Sequence, residues 1–217
     1  MMNFPEKTRC NRRLPKEKFY EHLPMTAKLE RAFINGIASI KLVNVISPET
    51  MNITASDGFS EIGVIEIALK TFPVDEFVLE TMDKALPFYA VYLVEFKGLY
   101  QVYIAYKEKT ATSGVKVVQF YHTERTAFED LPLALEGTSV AEIYTNFVTQ
   151  VSDGKLNVRS SEDLAQAVQS DLEIKKLEEK IAQLEKKIRL EKQFNRQIEW
   201  SNQKRALEQE LKDRNKN

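Results

Sequence analysis

Asp57, Glu66 and Lys70 are the residues in this 217-residue chain whose types and spacing come nearest to a reaction centre. Glu66 and Lys70 lie in the run Ile65-Glu66-Ile67-Ala68-Leu69-Lys70. Side chains alternate along a strand, so Glu66, Ala68 and Lys70 would share one face. Restriction-like nucleases place an Asp ahead of a Glu-x-Lys on such a strand. The carboxylates hold Mg²⁺ and the lysine stabilises charge during phosphodiester cleavage. Here Ala68 stands where that lysine should be, and Lys70 is one step further on. The plainer reading, which we expect, is a polar Glu66–Lys70 pair at the solvent end of a core strand. A divergent metal-dependent nuclease is the alternative function, and Mg²⁺ would be its cofactor. The leading reading, a non-enzymatic one, needs no cofactor and no metal.

Other catalytic patterns are missing from the sequence. The seven glycines stand singly, so no Walker or dinucleotide loop can cradle phosphate. His22 and His122 are far apart, and with the single cysteine, Cys10, they make no recognisable zinc set. There is no G-x-S-x-G elbow and no HExxH. Cys10 cannot form an intramolecular disulfide, and a reducing, cytoplasmic setting is expected. No stretch approaches the roughly 20 apolar residues of a membrane span, and the opening residues lack a signal-peptide run. Aromatics are dense from Phe88 to Tyr106, but only Lys97 is interleaved among them. They suit a sheet core better than a base-stacking platform.

Charge is uneven along the chain. Residues 1–31 hold eight Lys/Arg against four Asp/Glu, residues 32–159 ten against sixteen, and residues 160–217 thirteen against twelve. An acidic body suits a polyanion poorly, because phosphate contacts supply most non-specific affinity. Any nucleic-acid contact would fall to the basic arm, through Arg9, Arg12, Arg13, Lys16 and Lys18. The expected role of that arm is more modest, a segment lying along the body.

The elements that must position these residues follow from local patterns. Residues 1–25 read as irregular, with Pro5, Pro15 and Pro24 against a long helix and Phe4, Leu14, Phe19, Tyr20 and Leu23 pinning the segment down. Thr26 caps a helix over 27–36. Strands are expected over 37–46 and 62–69, then a helix over about 75–86 with Phe77, Leu79, Met82 and Leu86 as its apolar face. Phe88 to Phe96 is apolar on both faces, which places it in the middle of a covered sheet. Lys97-Gly98 turns the chain into Leu99–Tyr106, and Val115–Tyr121 adds another strand. Thr138 caps a helix over about 139–151, closed by Asp153-Gly154. The fold class is therefore α+β, a mixed α/β body over 26–158 with a C-terminal long helix or coiled coil over 159–217.

That tail, from Ser160 onward, contains neither Gly nor Pro. Ile174, Leu177, Ile181, Leu184 and Ile188 repeat at three-and-four spacing among charges, an apolar seam about two heptads long. Beyond it the same register becomes polar through Glu191, Asn195 and Asn202. A second line, Leu190, Phe194 and Ile198, rotates off the first. The seam together with Phe194 and Ile198 is the expected partner-helix interface, for a protein partner or for self-association. The tail could project, bend into a hairpin or fold back on the body.

Several runs in combination carry a resemblance: Pro5-Glu6-Lys7-Thr8, Asn11-Arg12-Arg13-Leu14-Pro15-Lys16, Ser47-Pro48-Glu49-Thr50-Met51-Asn52-Ile53, Glu66-Ile67-Ala68-Leu69-Lys70, and Glu191-Lys192-Gln193-Phe194-Asn195-Arg196-Gln197-Ile198-Glu199. Over nearly the whole chain these resemble an uncharacterised bacterial domain-of-unknown-function family, number 4391 (DUF4391). The resemblance implies no activity and transfers no catalytic residue. By association alone it implies an accessory subunit near restriction-like or phage-defence DNA-processing enzymes. It strengthens the expectation that the tail docks a partner.

Overall fold

The computed structural model describes residues 4–23, 25–55, 60–109, 115–156, 158 and 163–215. Asp57 lies outside them, as do Ser160 and Ser161, the expected caps of the tail. Two compact units make up the chain, Met1–Leu164 and Ala165–Asn217.

The first unit is built on a six-stranded sheet: β1 (Arg9–Arg13), β2 (Ile37–Ile46), β3 (Ile62–Leu69), β4 (Tyr89–Phe96), β5 (Leu99–Lys109) and β6 (Val115–His122). The strands lie in chain order, β1-β2-β3-β4-β5-β6. Every neighbouring pair is antiparallel except β3 and β4, which run parallel. A parallel pair needs a crossover, and helix α3 (Glu76–Ala85) supplies it. The opening segment is not irregular as expected. It forms β1 and a short helix, α1 (Lys16–His22). Its strand has the sequence RCNRR with every residue exposed, which carries no β signature. It is a strand because it pairs with β2, and its charges suit an edge that must not recruit another chain.

Helices α1, α2 (Ala27–Gly36) and α3 cover one face of the sheet. Thr26 Oγ1 accepts from Leu29 N at 3.2 Å and so starts α2. Leu29 and Phe33 of α2 are fully buried against Ile65, Ile67, Ala90, Tyr92 and Val94. Burying side chains of this size contributes about 1.5–3 kcal/mol each. The crossover helix buries Val78, Leu79 and Met82 and leaves Phe77 38 % exposed, so its apolar face is rotated from the expected one. Val91 and Leu93 point the other way by strand alternation, so β4 is covered on both sides. Helix α4 (Val140–Val151) lies on that second side. Its Tyr144 stacks on Tyr89 with ring centroids 3.9 Å apart, and its hydroxyl donates to the Ala105 carbonyl. The cap of α4 is Ser139, not Thr138, and Ser139 Oγ accepts from Glu142 N. Thr138 instead donates its N–H and hydroxyl to Glu142 Oε2, both at 2.8 Å.

The second unit is helical. The tail is two helices, α5 (Leu164–Leu190) and α6 (Phe194–Arg214), and not one continuous rod.

Candidate functional site

Glu66 and Lys70 are not brought together. Glu66 stands opposite Lys41 in the β2–β3 register, and its Oε1 accepts from Lys41 Nζ at 2.9 Å. This bond raises the Lys41 pKa above its ordinary value. Lys70 follows β3 and donates to the Ile34 carbonyl at 2.6 Å. The expected Glu66–Lys70 pair is therefore replaced by a cross-strand Lys41–Glu66 pair and a helix cap. Among the described residues, no three His, Cys, Asp or Glu side chains gather as metal ligands.

The basic arm splits by task. Lys16 donates to the carbonyls of Phe33 and Ile37, so with Lys70 it serves the C-terminus of α2. That helix has no basic residue in its own last turn, and two borrowed ammonium groups meet its free carbonyls and its negative dipole end. Desolvation, then the charge of Lys70, lowers the pKa of Lys16. Arg9, Arg12, Arg13 and Lys18 are exposed, and none forms an ion pair with a carboxylate among the described residues.

A buried polar cluster joins α3 to the sheet, and no sequence pattern announced it. Lys107 Nζ lies near Asp83 Oδ2 and also donates to the carbonyls of Asp83 and Phe88. Tyr92 donates to Asp83 Oδ1 at 3.1 Å. The donor set spans the end of α3, the start of β4 and β5, which is a cluster placed to hold the crossover.

The two most exposed large apolar side chains among the described residues, Leu190 and Phe194, lie in the tail. Helix α5 stops at Leu190 with no Gly or Pro, because Glu191 supplies a bend from its own atoms. Its Oε1 accepts from the backbone N–H groups of Lys192 and Gln193 at 2.8 and 3.0 Å. Its carbonyl accepts from Gln197 Nε2 at 2.6 Å. A carboxylate there also suits the positive end of the α6 dipole. The Gln193 N–H is the main reason its pKa lies below the ordinary carboxylate value. The chain then doubles back. Glu185 meets Lys204 at 2.7 Å and Glu173 meets Arg214, so α5 and α6 are antiparallel.

This hairpin sorts the expected interface in two. Ile174, Ile181, Leu184 and Ile188 are half-buried and Leu177 is buried, whereas α6 presents half-buried Trp200, Leu207 and Leu211. Ile188 lines a cleft with Ser201 and Lys204, which identifies its partner helix as α6 of the same chain. Leu190, Phe194 and Ile198 are left out of the seam, with 70 %, 72 % and 45 % exposure. They sit at the bend, and residues 186–196 hold five basic side chains against one acidic. Reading the seam as one stripe concealed this basic stretch. Charge counted over the bend alone would have found it.

A family model described as Domain of unknown function (DUF4391) matches residues 2–211. No curated protein and no solved structure matches the chain. No helix among the described residues is long and apolar enough to cross a membrane.

Proposed function

The chain belongs to the family described as Domain of unknown function (DUF4391), and from that premise we propose that it is an interaction protein whose helical hairpin docks an acidic protein partner. One observation carries this reading: three large apolar side chains, Leu190, Phe194 and Ile198, stand exposed at a bend whose residues 186–196 hold five basic side chains against one acidic. Exposed apolar groups rimmed by polar ones mark interaction surfaces. The surplus positive charge disfavours a second copy meeting tip to tip, and it favours a partner presenting carboxylates around an apolar hollow. An accessory subunit beside DNA-processing enzymes is the biological role that fits, with the contact made to the protein and not to the DNA. The reading requires no catalysis by Glu66 or Lys70.

The test is tagged purification of the full chain from its native host, beside Leu190→Ser/Phe194→Ser/Ile198→Ser and Lys187→Glu/Arg189→Glu/Lys192→Glu variants. An acidic protein recovered in stoichiometric amount, and lost from both variants with helicity intact, is the expected outcome. Equal recovery from all three, or self-association through the tip in sedimentation, would sink the reading.

A further inference from the structure

On the helix-covered face, β1, α1 and the α3–β4 connection enclose a cavity of about 270 Å³. That is near the lower end of ligand pockets, roughly 300–1,000 Å³. Leu14, Leu42, Leu86 and Phe88 form much of its wall, and Arg12 and Lys18 line it as well. Both cations are exposed, and neither forms an ion pair with a carboxylate among the described residues. An apolar hollow beside two uncompensated positive charges is complementary to one kind of molecule, an apolar body bearing an anion. A guanidinium matches a carboxylate with two parallel hydrogen bonds.

Two backbone features shape this place. Gly63 lies under the wall. A Cβ there would come within 2.5 Å of the Phe88 ring and 3.2 Å of Leu42 Cδ1, so the glycine lets those two side chains sit where they line the cavity. In β1 the pairing register shifts between Arg9 and Arg12, and Asn11 takes a left-handed φ of 48°. Such irregularities re-aim a side chain at the edge of a sheet. Here Arg12 follows the shift and pairs opposite Leu42, itself a wall residue.

We propose that this cavity binds a small amphipathic anion, a medium-chain carboxylate, with its tail against Leu42, Leu86 and Phe88 and its head on Arg12 and Lys18. The site lies wholly within Met1–Leu164, so it stands or falls separately from the hairpin. Isothermal titration of the full chain with octanoate tests it, with octanol as the uncharged control. Saturable one-to-one octanoate binding is expected, at least about tenfold tighter than octanol. Arg12→Gln/Lys18→Gln should weaken octanoate by at least about tenfold and leave octanol unchanged. Leu86→Trp, which fills the hollow, should remove both. The surface pair keeps the test valid if the filled variant folds poorly. No saturable octanoate binding to a normally melting protein would overturn the proposal, as would octanoate affinity indifferent to the Arg12/Lys18 change.

Discussion

Lys107 Nζ lies 2.7 Å from Asp83 Oδ2, and both side chains are shut away from solvent. Desolvation raises the Asp83 pKa, and the charge of Lys107 and the hydroxyl of Tyr92 oppose that rise without cancelling it. Removing one member leaves the other charge stranded. Asp83→Asn should cost about 3–5 kcal/mol in urea unfolding. Lys107→Met should behave differently with pH. Its remaining carboxyl has a folded pKa above the unfolded one, so its contribution is favourable below the unfolded value and lost as pH rises through the folded value. The penalty of Lys107→Met should therefore be smaller near pH ~4 than at neutrality. An equal penalty at both would contradict this account.

Lys16 and Lys70 converge on one helix end, so their loss should read as a stability effect. Each change to Ala should lower stability by about 0.3–1 kcal/mol, by removing a charged donor from the α2 C-terminus. Lys70→Arg should keep most of it. A Mg²⁺-dependent nicking activity abolished by Lys70→Ala at unchanged stability would assign the residue to chemistry instead.

Gly63→Ala should destabilise the first unit by about 1–3 kcal/mol, because its methyl group would collide with the Phe88 ring in a packed wall. The companion Gly63→Ala/Phe88→Leu should recover part of the loss. Thermal melts of the three proteins decide it.

Glu191 holds its bend as a carboxylate, with a folded pKa below the ordinary value. Stability from such a group is present above the unfolded pKa and lost as pH falls through the folded one. Spin labels at positions 189 and 201, which line the α5–α6 cleft without belonging to its Glu185–Lys204 pair, should thus report the two helices separating under acid. Glu191→Gln should shrink that pH response. Labels that stay close at low pH, with α5 and α6 still helical, would refute this role.

Most of the body was legible because pattern and packing agree there. Ile37–Ile46 and Ile62–Leu69 read as strands from their β-branched content, and Thr26 marked the start of α2. Tyr89–Phe96 showed its central place through apolar residues of both parities. The misses share one cause: the deciding partner is remote in sequence. Arg9–Arg13 becomes a strand only because β2 offers an edge. Val78 replaces Phe77 inside because the crossover fixes the rotation of α3. Lys70 finds Ile34 instead of Glu66, and the tail bends at Glu191 through hydrogen bonds that no helix-breaking residue signals. The candidate surfaces were half visible. Phe194, Ile198, Arg12 and Lys18 stood out as residues, but neither the exposed tip nor the walled hollow follows from one stretch of chain.

A sheet whose spatial order is its chain order has a kinetic consequence. Four of its five strand pairs are antiparallel, and the β4–β5 turn is a two-residue one at Lys97-Gly98, both with positive φ. Of these, β4–β5 and β5–β6 have short connections with no helix and can close by local zippering, with little loop entropy to overcome. β1 and β2 are separated by α1 and α2, and β3 and β4 by α3, so both of these pairs must wait for helices to dock between them. The docking of α3, locked by Asp83 and Lys107, joins the two halves of the sheet, so changes to it should alter the folding rate more than changes at the β1 edge.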